Sequence, residues 1–69
     1  MDHDEATRRI RQLLVSGDNI LKNRDDDARF GRARQRFENA ERIAAEHGLT
    51  DSVGAIIALR LEQLPHKDS

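Results

Sequence analysis

One short stretch of the chain constrains its fold more than any other, because it places an aromatic residue between two alanines at helical spacing. Ala33, Phe37 and Ala40 are four and three residues apart, so they share one face of an α-helix. Small side chains beside the ring let a second helix approach closely. The stretch therefore predicts helix-on-helix packing, either within the chain or against a partner.

Helical periodicity extends through most of the chain, and the period-two alternation of strands is absent. We predict an all-α fold, a single small helical domain over residues 1–69 with helices at about 4–22, 26–47 and 51–64 and a tail at 65–69. Short connections make neighbouring helices antiparallel. The predicted architecture is a three-helix antiparallel arrangement of two helix-turn-helix pairs.

Several residues carry signals for the ends of these helices. Asn23 or Asp25 is predicted to cap the second helix, and the aspartates that follow favour its start. Gly48 is predicted to end that helix. Thr50 is predicted to cap the third helix, and Pro65 to terminate it.

Two glycines lie inside predicted helices, where a glycine costs about 1 kcal/mol relative to alanine. The apolar face of the first helix continues in phase beyond Gly17. We therefore predict that Gly17 admits a close neighbour rather than breaking the helix. Gly54 is the second of these glycines and lies in the third helix.

The third helix is apolar around most of its circumference. Its main face is predicted to comprise Val53, Ile56, Ile57, Leu61 and Leu64. Ala55, Ala58 and Leu59 lie away from that face and predict a second buried side, formed with another copy or a partner protein. The alternative is that Ala55 and Ala58 only favour helix formation and Leu59 is a single exposed apolar residue.

Arg60 falls within the apolar face of the third helix. It either reaches a carboxylate across an interface or lays its aliphatic stem along the core with its charged end in water. The second interpretation is favoured, because a buried arginine without a partner is too costly. The predicted packing and interface residues are Ala33, Phe37, Ala40, Ala55, Leu59 and Arg60.

Arginines along one flank of the second helix suggest an anion-binding surface. They are Arg29, Arg32 and Arg36, and a second basic group occupies residues 8–11. Acidic residues at helical spacing, Asp25 before Arg29 and Glu38 after Arg34, favour ordinary surface pairs instead. A regulator that binds nucleic acid or another anion is therefore the alternative function.

Composition limits the remaining function classes. The 69-residue chain contains no cysteine, which excludes disulfides and thiolate metal sites. The three histidines are dispersed, and the aspartate run lacks the glycine and glutamate of a calcium loop. We therefore predict no metal, no cofactor and no enzymatic activity. A core of this size rarely supplies more than about 3–5 kcal/mol, which favours self-association.

The surroundings of the protein are also suggested by composition. The chain has a net charge of -1 and 36% charged residues, and no segment is apolar enough to span a membrane. Its acidic start differs from a signal peptide, so a cytoplasmic location is predicted. Ten of the twelve basic residues are arginine, whose codons are GC-rich, which indicates a bacterial genome of that composition.

The chain resembles a degenerate tetratricopeptide repeat over about residues 13–64. Ala33, Phe37 and Ala40 match the second-helix part of that pattern, and Gly17 keeps its type in the first-helix part. Aliphatic residues replace the tryptophan and tyrosine, and the segment between Gly17 and Ala33 is about one helical turn longer than the repeat prescribes. Downstream, Val53, Gly54 and Ile57 repeat the spacing of the first-helix part, as if a second unit began there, and the resemblance implies that Gly54 admits a close neighbouring helix as Gly17 does. An unrelated three-helix bundle is the alternative. The resemblance implies a binding role and, because solenoids need at least three units, stacking on another chain.

These features predict a small non-enzymatic protein–protein interaction or adaptor module that self-associates. The expected partner is a second copy, forming a dimer, or another protein, and no membrane is involved. An accessory subunit or antitoxin-like partner of an enzyme forms a third class, which the sequence does not separate from the first.

Overall fold

A computed structural model describes residues 2–65 of the chain. These residues form three α-helices and no strand: α1 (His3–Lys22), α2 (Arg29–Glu46) and α3 (Thr50–Gln63). The predicted all-α, three-helix arrangement is confirmed. The end of the predicted tail, residues 66–69, lies outside the described residues.

A capping box starts α1. Asp2 Oδ1 accepts a hydrogen bond from the Glu5 N–H at 2.8 Å, and Glu5 Oε1 accepts one from the Asp2 N–H at 3.4 Å. These bonds satisfy two backbone donors that the first turn leaves unpaired. The helix therefore begins one residue earlier than predicted, at His3, and it continues through Gly17 without a break.

The predicted connection between α1 and α2 forms turns that extend to residue 28, into the predicted start of the second helix. Asn23 Oδ1 accepts from the Asp25 N–H at 3.3 Å, and Asp26 Oδ1 accepts from the Ala28 N–H at 2.9 Å. Such bonds to the backbone two residues ahead favour turns over helix. Consequently α2 begins at Arg29 with Ala28 at its N-cap and no side-chain cap. The predicted start at residue 26 and the predicted caps are wrong.

The end of α2 is a glycine-containing turn. Gly48 has φ 67°, a left-handed conformation that glycine adopts without steric cost. The Leu49 N–H donates to Ala44 O at 2.7 Å, and the Gly48 N–H donates to Ala45 O at 3.5 Å. This is the Schellman pattern, completed by the buried side chains of Leu49 and Ala44. The predicted role of Gly48 at the end of this helix is confirmed.

Replacing Gly48 with alanine is expected to destabilise the protein, because a β-carbon in the left-handed region costs roughly 1–2 kcal/mol. The Cβ meets no atom within 4 Å, so the effect comes from the backbone and not from crowding. Urea unfolding followed by circular dichroism would measure it. The matched variant Gly48→Asn should lose less, since asparagine tolerates this conformation. Equal losses in both variants would contradict the conformational explanation.

The start of α3 also differs from the prediction. Leu49 occupies the N-cap position without a side-chain cap, and Thr50 is the first helical residue. Thr50 is therefore not the cap. The helix ends at Gln63, and Leu64 adopts an extended conformation immediately before Pro65, as expected for a residue that precedes proline.

The apolar core is formed mainly by α1 and α2. Its buried residues are Ala6, Ile10, Leu13, Leu14, Ala33, Phe37, Ala40, Ala44, Leu49, Ile57 and Leu64. α2 packs against both other helices, whereas α1 and α3 contact each other less. Asp18 and Arg60, near the C-terminal ends of α1 and α3, form an ion pair, so these two helices run in the same direction and α2 runs back between them. The molecule measures 36 × 18 × 14 Å.

Candidate interaction surfaces

The Ala33–Phe37–Ala40 face forms the interior of the protein. All three side chains have no exposed surface. A β-carbon on Gly17 of α1 would lie 2.7 Å from Phe37 Cζ, far inside van der Waals contact, so α1 passes directly over the ring. The predicted close approach at Gly17 is confirmed. These residues pack helices within one chain and are not available to a partner.

Two features predicted for α3 are wrong. The nearest atom to a β-carbon on Gly54 would be Thr50 Cβ at 3.6 Å, which belongs to the same helix, so no neighbouring helix approaches there. Ile56, predicted in the buried face, is 47% exposed. The buried side of α3 is centred on Ile57 instead, with Val53 and Leu61 partly buried beside it.

An uncharged strip follows the solvent side of α3. It consists of Ser52, Ala55, Ile56, Leu59 and Gln63, all exposed, and we call it the α3 outer face. Leu59 lies at its centre and is 53% exposed. Because the residues are three or four apart, they line up along one side of the helix. Ala55 and Leu59 therefore lie on a free surface of the described chain, and the partner predicted from them remains a prediction.

Arg60 pairs with a carboxylate of its own chain. Its Nε donates to Asp18 Oδ1 at 3.2 Å, and its Nη2 donates to Asp18 Oδ2 at 3.0 Å. This bidentate geometry, with two parallel hydrogen bonds, is the strongest that arginine makes with a carboxylate. Neither interpretation anticipated a carboxylate of the same chain, and the charged end of Arg60 stays partly exposed in this pair. The pair links α3 to α1. Because it is partly exposed, it contributes about 1 kcal/mol or less to the stability of the fold.

The predicted arginine strip of α2 is partly engaged with the connection that precedes it. Arg29 Nη1 donates to the carbonyl oxygens of Arg24 and Asp26 at 3.2 and 3.3 Å. Its guanidinium also lies 4.5 Å from the centroid of the Phe30 ring. Arg32 Nη1 lies 3.4 Å from Asp26 Oδ2.

The expected acidic partners of these arginines are different in the structure. The ion pair with the arginine strip is formed by Asp26, not Asp25, and its partner is Arg32. The turn directs the Asp26 side chain toward α2. Arg34 Nη2 donates to Pro65 O at 2.9 Å and not to Glu38. Arg36 is exposed and forms no ion pair within residues 2–65. The strip is therefore not a row of three free cations.

A different basic surface is formed where α1 meets the connection. A shallow groove of about 680 Å³ is lined by Arg8, Arg11, Val15 and Ile20 of α1, Asp26 of the connection and Arg32 of α2, among others. We call it the basic groove. It joins one arginine of the predicted strip to the second basic group. The spacing of Arg8, Arg11 and Val15, three and four residues, is the sequence signal that could have identified it.

Some site classes are not represented in the part of the chain that the structure describes. Residues 2–65 contain no group of three or more histidine, cysteine, aspartate or glutamate side chains placed to hold a metal ion. In the same residues, no helix combines the length and the apolar character needed to cross a bilayer. Every buried side-chain nitrogen or oxygen there has a hydrogen-bond partner.

Comparison with known proteins gives no relative for this chain. No protein-family model matches it, and no curated protein or solved structure is significantly similar to it. The resemblance to tetratricopeptide repeats therefore stays a prediction. Function has to be argued from the α3 outer face and the basic groove.

Proposed function

We propose that this protein is a small non-enzymatic interaction module that self-associates through the α3 outer face. The observation that supports this is an uncharged strip with two half-exposed aliphatic side chains, Ile56 and Leu59. The chain as a whole is rich in charge, at 36% of residues. Burying apolar surface contributes about 25 cal/mol per Å², so covering this strip favours association.

A second copy of the chain suits this surface. Ile56 and Leu59 are large, whereas Ser52 and Ala55 beside them are small. In a two-fold arrangement the large residues of one helix can pack over the small residues of the other. The side chains of the strip itself are uncharged, so like charges enter such a pairing only from flanking residues such as Glu62. Association also adds stability that a 69-residue core lacks.

Of the tetratricopeptide resemblance, the proposal keeps one helical hairpin, formed by α1 and α2. The contact between Gly17 and Phe37 brings together the two helices that carry the pattern, which supports one helical hairpin of that kind. Gly54 has no close neighbouring helix, so the second unit suggested by its spacing has less support. A bacterial, cytoplasmic setting remains part of the proposal on the basis of composition.

Nucleic-acid binding through Arg29, Arg32 and Arg36 has less support. Two of these arginines are bonded to the connection between α1 and α2. Phosphate contacts by these two would compete with the bonds already made, and the remaining arginine supplies little of the electrostatic affinity that such binding needs.

Replacing Leu59 with glutamate is expected to convert the assembled protein to a monomer of 7.9 kDa. The buried carboxylate would cost several kcal/mol at the centre of the interface. Sedimentation velocity over a range of concentrations measures the mass, and circular dichroism checks that helicity is kept. The matched control is Phe30→Glu, which replaces an exposed apolar residue of α2 with the same charge and should still assemble. A wild-type protein that is monomeric at every concentration, or a Leu59→Glu variant that assembles normally, would refute the proposal.

A further inference from the structure

The basic groove on α1 is separate from the α3 outer face and has its own chemistry. We propose that it binds a short acidic peptide segment of a partner protein. Carboxylates of that segment would pair with Arg8 and Arg11, and an apolar side chain between them would rest on Val15. This second interaction would make the module an adaptor, with one surface for its own copy and one for a different protein.

The charge of the groove favours an acidic ligand. Arg8 and Arg11 form no ion pair among residues 2–65, so their guanidinium groups are free to accept one. Asp26 is the acidic member of the lining, and it already pairs with Arg32. The groove is thus locally positive although the whole chain carries a net charge of -1. Arginine's planar fork of donors matches a carboxylate in two-point geometry.

The apolar part of the groove distinguishes it from a simple basic surface. Val15 is 57% exposed and follows Arg11 by four residues, so it lies beside that side chain on α1. Ile20, partly buried, continues the apolar area. The volume of about 680 Å³ falls within the roughly 300–1,000 Å³ usual for ligand pockets. The groove can therefore hold one apolar side chain with carboxylates around it.

A nucleic acid fits this groove less well than an acidic peptide. None of the residues that line it is aromatic, so bases have no ring to stack on. The net charge of the chain also gives no long-range attraction to a polyanion. A peptide that alternates carboxylates with leucine satisfies both the arginines and the valine.

The test is fluorescence anisotropy with a labelled peptide of alternating glutamates and leucines. The wild-type protein should bind it saturably, and the variant Arg8→Glu/Arg11→Glu should raise Kd by about tenfold or more, as expected when charge pairs are reversed. The matched control is Arg9→Glu/Arg42→Glu, with the same change of charge at exposed arginines outside the groove. Its Kd should change by less than about threefold, because separated surface charges are screened by salt. Circular dichroism confirms that both variants fold.

Two further probes test the apolar contact and the class of ligand. A peptide with serine in place of leucine should bind more weakly to the wild-type protein, and Val15→Ser should remove that difference. Single-stranded DNA of equal charge should compete poorly. Absence of saturable peptide binding, equal losses in both arginine variants, or DNA competing as well as the peptide would overturn the proposal. Because the same titration can be made with the monomeric Leu59→Glu variant, its result does not depend on self-association.

Discussion

Gly17→Leu is expected to unfold most of the protein. Phe37 Cζ would lie 2.7 Å from the first carbon of the new side chain, and the ring cannot retreat because it is completely buried. Overpacking of this kind typically costs about 1–3 kcal/mol and sometimes more. A core of this size supplies only about 3–5 kcal/mol in total. Urea unfolding followed by circular dichroism should therefore show a lower midpoint or no folded baseline.

Gly31→Leu is the matched control for this variant. Gly31 also lies inside a helix, α2, but a β-carbon there would meet no atom within 4 Å. Leucine should stabilise that position by somewhat less than about 1 kcal/mol, the difference in helix propensity. If both variants lost the same stability, the close approach of α1 to the Phe37 ring would not be the cause.

Phe37→Ala is expected to have an effect of similar size for the opposite reason. Phe37 is among the largest completely buried side chains, and its removal leaves a cavity beside Gly17, which has no side chain to fill it. Substitutions of this kind cost about 3–5 kcal/mol, close to the whole stability expected for such a core. Thermal and urea unfolding would both show the loss. Phe30→Ala, at a ring that is 37% exposed, should cost far less.

The double variant Gly17→Leu/Phe37→Ala provides a sharper test of the contact. The leucine introduced on α1 would occupy part of the space that the ring leaves on α2. The double variant should therefore be more stable than the sum of the two single losses indicates, as is usual for residues in contact. Strict additivity would mean that the two positions do not share one space.

The sequence predicts the helices and the inner packing well, because these depend on local spacing. The Ala33–Phe37–Ala40 face and Gly17 follow from helical periodicity, and their burial against each other needs no further information. Gly48 follows from the requirement for a left-handed residue after a helix. In each case the residue type and its position in the helix determine the outcome.

The errors arise where two local interactions compete or where distant segments meet. The Asp26 side chain accepts a hydrogen bond from the backbone of a turn. This bond outweighs the preference of aspartate for the start of a helix. The pairing of Arg60 with Asp18, 42 residues away, depends on how α3 lies on the hairpin of α1 and α2, which no spacing reveals. The spacing of Arg8, Arg11 and Val15 marks the α1 side of the basic groove, but Arg32 joins that side only after folding.

The weak attachment of α3 has a consequence for the dynamics of the molecule. Within this helix only Ile57 is buried among the described residues, whereas α1 and α2 share most of the core. Segments with few buried contacts open first, so amide hydrogens of α3 should exchange with solvent before those of the other two helices. A copy bound to the outer side of α3 would suppress that opening, and protein concentration would then control how much of each chain is ordered.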